Sequence, residues 1–283
     1  MAEPAAGTVS VLMPIHAGLH PAHLARALGS VAEQTRAPDE VVLVEDGPLP
    51  DALRDVVATA AAQLPRLVRE TLPVNRGAGV ANQAGLRRCS GEWVLKADGD
   101  DVSLPQRLQR QLDHAAETGA DVCGSAMLEF SGTEEHVVAV RTPPLTHEDI
   151  ARRMRWNNPI NHPTALYRAD RARAAGGYGD LRYMQDYDLF ARMLSQGARF
   201  ANLAEPLVLF RAGDAVMARR RSPAMRRCEW QLQRNLREYG VVGPARRYAN
   251  YAARQGARML PAPAMARLHR ALFSRSTGAE AEA

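Results

Sequence analysis

Four times before residue 120, a short apolar run rich in β-branched residues stops at polar or acidic residues and gives way to helical spacing. VSVLMPI leads into residues 21–34, where Leu24, Leu28 and Val31 recur every three or four positions. EVVLVEDG ends in Glu45, Asp46 and Gly47, and an Ala-rich helix follows from Asp51. RLVRETL passes through the glycines of NRGAG into a helix ending near Arg88. EWVLKA ends at DGDD, after which Leu108, Leu112 and Ala115 mark another helix starting near Leu104 and Pro105. Strands alternating with helices imply an α/β fold with a mostly parallel central sheet flanked by helices. Ligands of such sheets bind at the carboxyl ends of strands, and both acidic clusters fall at such ends.

After ADVCGSAMLEF the alternation weakens into short helices, turns and strands that read as the second half of the same domain. Beyond Phe210 the chain turns to RAGDAVMARRRSP and then to amphipathic helices at residues 222–239, 244–259 and about 263–273. Charge divides the molecule at the same place. After residue 216 there are 14 Arg against four Glu, a net +10, which leaves −5 on the preceding residues. A body of residues 1–216 and a basic helical extension of residues 217–283 follow. With 46% hydrophobic and 24% charged residues, the chain can bury a sizeable core and is not a disordered one. No window approaches about 18 consecutive apolar residues, and the N-terminus lacks the pattern of a signal peptide, so the expected location is cytoplasmic. Cys89, Cys123 and Cys228 are too few and too scattered for a disulfide framework or a structural zinc site, and are expected to be reduced and buried.

Two clusters carry chemistry. Asp98, Asp100 and Asp101 crowd three carboxylates into four positions, with Gly99 allowing close backbone approach. Such a group repels itself unless a cation is present, and hard oxygen ligands suit Mg²⁺ or Mn²⁺, which neutralises a diphosphate. The other reading is a solvated acidic turn before a helix. Glu45 and Asp46 form the second cluster. A carboxylate there accepts hydrogen bonds from a nucleobase or ribose, or else Asp46-Gly47 is simply a turn.

VSVLMPIHAG, SVAEQT, VVLVEDG, NRGAGVANQAGL, GEWVLKADGDDVSLPQRL, NPINHPTALYR, GGYG and QDYDLFARM stand in an order and spacing that resemble the family 2 inverting glycosyltransferases of GT-A fold, over residues 8–211. The likeness is greatest to bacterial members that build cell-surface glycans. It implies a nucleotide-sugar donor, most simply UDP-linked, and a polysaccharide or lipid-linked glycan acceptor. It divides the body into a donor half, about 8–127, and an acceptor half, about 128–216. It also implies that Pro14, His16 and Asp46 line the pocket for base and ribose, with Glu45 where an aspartate is usual. Asn75 and Gly77 are expected to shape the donor pocket, and Lys96 is a candidate donor contact that compensates for a basic residue the family pattern places elsewhere. Asp98 and Asp100 match the D-x-D motif that meets ribose and metal-diphosphate, and Asp186 matches the catalytic base. Without the resemblance, Asp186 reads as an ordinary first-turn acid of a helix.

The chain departs from the family pattern at three places. Gln185 replaces the usual Glu before the base. Asn82 and Gln83 stand where Arg and Asn are usual, with Lys96 or Arg76 as substitutes for the lost cation. Gly213 stands where many relatives carry a His, with Asp214 beside it. These losses motivate a rival reading, a catalytically weak nucleotide-sugar-binding or scaffold protein of a polysaccharide assembly complex. His16, His20 and His23 are too broken by Gly18 and Pro21 for a zinc face. His162 reads equally as a residue near the acceptor groove and as a satisfied, partly buried histidine. Arg219, Arg220, Arg221, Arg226 and Arg227 read either as a solvated helical face or as a peripheral contact at the inner face of the plasma membrane. Nucleic acid is not among the expected partners.

Overall fold

The computed structural model describes residues 5–212 and 223–259. β1 (Val9–Ile15), β2 (Glu40–Asp46), β3 (Arg66–Leu72) and β4 (Trp93–Lys96) form a parallel block in the order β3-β2-β1-β4. α1 (Pro21–Ala32), α2 (Asp51–Ala60) and α3 (Ala78–Arg88) are the crossovers that parallel pairing requires. The strand alternation feeds two cores. Val9, Val11, Met13 and Ile15 pack with Val41, Leu43 and Leu95 against α1, α2 and α4 (Arg107–Thr118). Leu12, Val42, Val44 and Val94 face the other way, into a second core shared with α3. Each fully buried Val or Leu contributes roughly 1.5–3 kcal/mol, against about 0–1 for a surface pair such as Arg54 with Asp51. Burial of these runs therefore dominates the stability of the block.

The rest of the sheet is mixed. β6 (Val122–Phe130) pairs in parallel with β9 (Phe200–Arg211) and antiparallel with β7 (Val137–Arg141) and β8 (Leu166–Arg168). β8 also pairs antiparallel with β4, joining the two halves, and β5 (Val102–Ser103) pairs antiparallel with β9. The loop from β6 to β7 is too short for a crossover, so that connection must be antiparallel. Pro206 falls where the β6–β9 register shifts, a place that tolerates a missing N–H. The helix expected from Leu104 starts instead at Arg107, because the Leu104 N–H donates to the Leu207 carbonyl at 3.0 Å and extends the pairing of β5 with β9.

α5 (His147–Met154), α6 (Ala169–Ala174) and α7 (Gln185–Ser195) cover the second core. α8 (Pro223–Glu238) and α9 (Pro244–Met259) match the helices expected at 222–239 and 244–259. Leu232 and Leu236 of α8, with Val242, enter the same core as Tyr187 and Phe190 of α7. The third expected helix, Gly213, Asp214 and Arg219, Arg220 and Arg221 lie outside the described residues. Cys89 and Cys123 are buried free thiols that burial pushes up to about 12, whereas Cys228 is half-buried. Among the described residues, no helix is long and apolar enough to cross a membrane.

Candidate active site

The ends of β2, β1 and β4 lie side by side, bringing Asp46, Pro14 and Asp98 to one rim of the sheet. The last bond between β1 and the chain leaving β4 runs from the Ala97 N–H to the Leu12 carbonyl, 3.0 Å. Two residues on, Pro14 presents its ring nitrogen to the side that β4 has vacated, so its missing N–H costs no ladder bond. The β1–α1 loop then folds over the D-G-D sequence. A Cβ on Gly99 would lie 2.7 Å from Leu19 Cδ1 and 3.0 Å from Ile15 Cγ2, which is why the middle position is glycine. His16 is exposed on this loop, and its Nδ1 accepts from the Gly18 N–H at 3.0 Å.

The acidic cluster is set in an unusual cationic frame. Lys96, the single lysine of the chain, is 0% exposed, and its ammonium meets both the Asp98 carboxylate and the Ala97 carbonyl. Arg107 is also 0% exposed and donates to the Lys96 carbonyl (2.7 Å), Ser103 Oγ and Gln111 Oε1 (each 3.0 Å). Burial pushes the Arg107 guanidinium down to about 9, against the pull of Asp101 and Asp98. Burial alone would raise Asp98, but Lys96 holds it below the ordinary carboxylate range. Asp101 is pushed well up by burial and then by Asp98 and Asp100; its Oδ1 accepts from the Arg211 N–H at 2.9 Å, while its buried Oδ2 has no partner among the described residues. Asp100 is raised by burial and by Asp98.

The second strand end behaves differently. Both Asp46 oxygens accept backbone N–H groups, Arg76 at 2.6 Å and Gly77 at 2.9 Å, and the Asn75 amide donates to the Asp46 carbonyl at 3.2 Å. Gly47 has φ +91°, and a Cβ there would lie 2.8 Å from the Asn75 nitrogen. Asp46 therefore braces the 75–77 loop, and Asp46-Gly47 is a turn. Glu45 points away from this loop and is held by Arg69, with bonds of 2.7 and 2.6 Å from Nε and Nη2.

Asp186 sits in the first turn of α7, partly exposed, with its Oδ2 accepting from the Asn158 amide at 2.7 Å. Met184 just before it has φ 63°, the one positive-φ residue other than glycine among those described. A left-handed Met costs roughly 1–2 kcal/mol, and such strain concentrates at functional sites. Gln185 is buried against Gly79 of α3. Gln83 uses its carbonyl to hold the Tyr178 N–H at 2.8 Å, which fixes the GGYG turn. Asn82 is 1% exposed with neither amide atom partnered among the described residues.

The structure thus gathers Pro14, His16, Lys96, Asp98 and Asp100 in one group and Asp46, Asn75 and Gly77 in an adjacent one, and holds Asp186 through Asn158. Glu45 stands apart. Sequence reasoning missed Arg107, Arg211 and Asn158. The only signal for Arg211 was the F-R step at the end of a strand, and nothing local marked the other two. The His20 ring caps α1, accepting from the Ala22 N–H at 3.3 Å, and lies 4.9 Å from the His23 ring, while His16 Nδ1 is taken up by the Gly18 N–H. Among the described residues, no three His, Cys, Asp or Glu side chains form a ready cage for a metal. The donor set instead fits a hard cation held by one or two carboxylates and completed by phosphate oxygens, since Asp100 is destabilised as an anion and lies at the rim. A groove of about 360 Å³ between α1 and α2, lined by Leu28, Val56 and Leu64 among others, includes none of these residues.

The sequence matches the model for Glycosyl transferase family 2 over residues 10–172. It is 35% identical to the amylovoran biosynthesis glycosyltransferase AmsE of Erwinia amylovora over 258 residues, 90% of this chain and 96% of that one. It is 30% identical over 212 residues to an Escherichia coli UDP-Gal:alpha-D-GlcNAc-diphosphoundecaprenol beta-1,3-galactosyltransferase, covering 75% of this chain and 76% of that one. The fold matches S. aureus TarS 1–349, solved with UDP-GlcNAc, at a TM-score of 0.66 and 18% identity, covering 93% of this chain and 73% of that one. With this ancestry and a GT-A architecture, the chain belongs to glycosyl transferase family 2 and is a glycosyltransferase of glycan biosynthesis.

Proposed function

We propose that the enzyme transfers a sugar from a nucleoside diphosphate donor, UDP-linked, to a hydroxyl of a cell-surface polysaccharide or its lipid-linked precursor, with inversion. The observation that carries this reading is the pairing of a partly open carboxylate, Asp186, held by Asn158, with an acidic cluster at the strand ends. The UDP-sugar and diphosphoundecaprenol in the name of the E. coli relative support the donor and acceptor classes. Asp186 takes the proton from the attacking hydroxyl as the bond to the anomeric carbon forms on the face opposite the leaving group. Asp100 and Asp98 would hold Mg²⁺ or Mn²⁺, which would supply positive charge to a departing diphosphate. Lys96 keeps Asp98 ionised for that task. Pro14, His16 and the 75–77 loop braced by Asp46 shape the pocket for base and ribose.

We assign residues 8–127 to the donor half, 128–216 to the acceptor half and 217–283 to the basic extension. The exposed Arg226, Arg227, Arg234, Arg237 and Arg246 on α8 and α9 support a peripheral contact with anionic lipid on the cytoplasmic side.

The test is turnover of a panel of nucleotide sugars with Mg²⁺ or Mn²⁺, before and after Asp186→Asn. The variant should lose on the order of 10²–10⁴ in transfer rate, the share a general base supplies, with UDP binding and melting temperature unchanged. An undiminished rate would refute the assignment of the base. UDP binding without turnover in the wild type would favour the scaffold reading.

A further inference from the structure

The segment from Asn158 to Ala165 spans the gap between the two carboxylate groups. At one end the Asn158 amide donates to Asp186 at 2.7 Å; at the other the Ala165 carbonyl accepts from the Lys96 N–H at 2.8 Å, two residues before Asp98. His162 stands between, on a short 3-10 turn, His162–Thr164, with its ring edge-on to Tyr178 and Phe190. Its Nε2 lies 3.0 Å from the Tyr178 hydroxyl, which lies 3.1 Å from the Tyr167 hydroxyl. Tyr167 is 0% exposed and Tyr178 3%, and among the described residues neither hydroxyl has another hydrogen-bond partner.

The direction of this chain follows from counting protons. If His162 donated from Nε2, Tyr178 would donate to Tyr167, and the Tyr167 proton would be left in an apolar core without a protein acceptor. Such an orphan costs about 1–3 kcal/mol. The opposite direction uses every proton: Tyr167 donates to Tyr178, and Tyr178 donates to Nε2. The imidazole then carries its proton on Nδ1. Burial keeps the ring neutral, assisted by Lys96 and opposed by Asp186 and Asp98. Nδ1 has no partner among the described residues and is not sealed from solvent, so its N–H opens outward from the partly exposed residue.

We propose that His162 contacts substrate, donating its Nδ1–H to an oxygen of the transferred sugar, and that Tyr178 and Tyr167 are positioning residues that lock the donating tautomer. The idea rests on the function proposed above. The anomeric carbon is bonded to the diphosphate on one side and attacked on the other by the hydroxyl that Asp186 deprotonates. The transferred ring must therefore lie between Asp98 and Asp186, where His162 stands. A fixed N–H donor discriminates strongly against a sugar lacking its oxygen partner, so this contact also contributes to donor choice.

Long-range ¹H–¹⁵N NMR of the full chain, with the His162 signal assigned by its loss in His162→Asn, reads the tautomer directly. Nδ1 should be the protonated nitrogen in the wild type, and Tyr178→Phe should shift protonation toward Nε2. In kinetics on the nucleotide-sugar panel, His162→Ala and His162→Gln should lose about tenfold or more in kcat/KM. His162→Asn, whose amide N–H falls near the position of Nδ1, should recover most of that loss, and UDP affinity should be unchanged in all three. A ring protonated on Nε2 in the wild type, or turnover that His162→Ala and His162→Gln leave intact, overturns the role of His162. A wild type with the expected tautomer but no turnover on any nucleotide sugar overturns the underlying function instead.

Discussion

Asn82 offers the simplest single-residue experiment in the molecule. Its amide is buried in α3 with no partner among the described residues. Asn82→Leu conserves size and removes the unpaired groups, so it should raise stability by about 1–3 kcal/mol in urea unfolding. If nucleotide binding weakens at the same time, the amide is a ligand contact held in reserve. Thiols give a second test at this scale. The buried Cys123 thiol stays protonated in the folded chain up to about 12, while its unfolded counterpart titrates near 9.0. Above pH 9 the unfolded state therefore binds fewer protons than the native one, and stability falls by about 1.4 kcal/mol per pH unit for this thiol. Denaturation curves of Cys123→Ala between pH 9 and 11 should show a correspondingly shallower slope than wild type.

At the scale of elements, α7, the helix that carries Asp186, is tied to the C-terminal pair by Asp188, two residues on and on the opposite face. Its Oδ2 accepts from Arg192 at 3.0 and 3.1 Å, and its Oδ1 accepts from Asn235 and Tyr239 of the α8 end at 2.7 and 3.1 Å. With Asp188 4% exposed and Arg192 14%, Asp188→Ala strands a buried cation and should cost about 3–5 kcal/mol by chemical denaturation. Combined with Asn235→Leu, the losses should not add, because the two share one partner. Elements built from local signals were readable: β1 to α4 announce themselves by period and by abrupt polar stops. β5 and β8, two and three residues long, carry no period of their own and exist only through distant partners, 107 residues away in Val102 with Leu209 and 71 in Leu166 with Leu95.

 Leu95 faces Leu166 of β8, a pairing that no window of sequence around either residue announces. The same holds within the site. The loop that Asp46 braces lies 30 residues on, at Arg76, and the asparagine that holds Asp186 lies 28 residues before it. The acids were legible as residue types at strand ends, but their partners were not, because hydrogen bonds between distant segments leave no local pattern.

At the scale of the whole molecule, charge and packing divide the chain differently. Charge sets residues 217–283 apart as a basic extension, yet Leu232, Leu236 and Val242 complete the core around α7. Buried Glu229 of α8 also gathers Arg254 and Arg258 of α9, each at 3.1 Å. Deleting everything after residue 212 should therefore abolish cooperative unfolding and leave aggregated protein, as judged by calorimetry and gel filtration. A membrane role is better tested by reversing the exposed Arg226, Arg227, Arg234 and Arg237 to Glu, which leaves the core intact. Each basic residue near an anionic surface is worth about 1 kcal/mol, so co-sedimentation with phosphatidylglycerol vesicles should fall by well over tenfold. Unchanged sedimentation would mean that these arginines only solvate α8.

The burial of Lys96 has a consequence for how the molecule meets reagents. Because the chain has no other lysine, every basic side chain it shows to solvent is arginine or histidine, and acylating agents find no side-chain amine on the native surface. An amine-reactive probe that marks an internal peptide has therefore caught β4 open. The proposed donor site carries its own built-in reporter of breathing, and protection of that one amine by a nucleotide sugar would measure how firmly the ligand closes it.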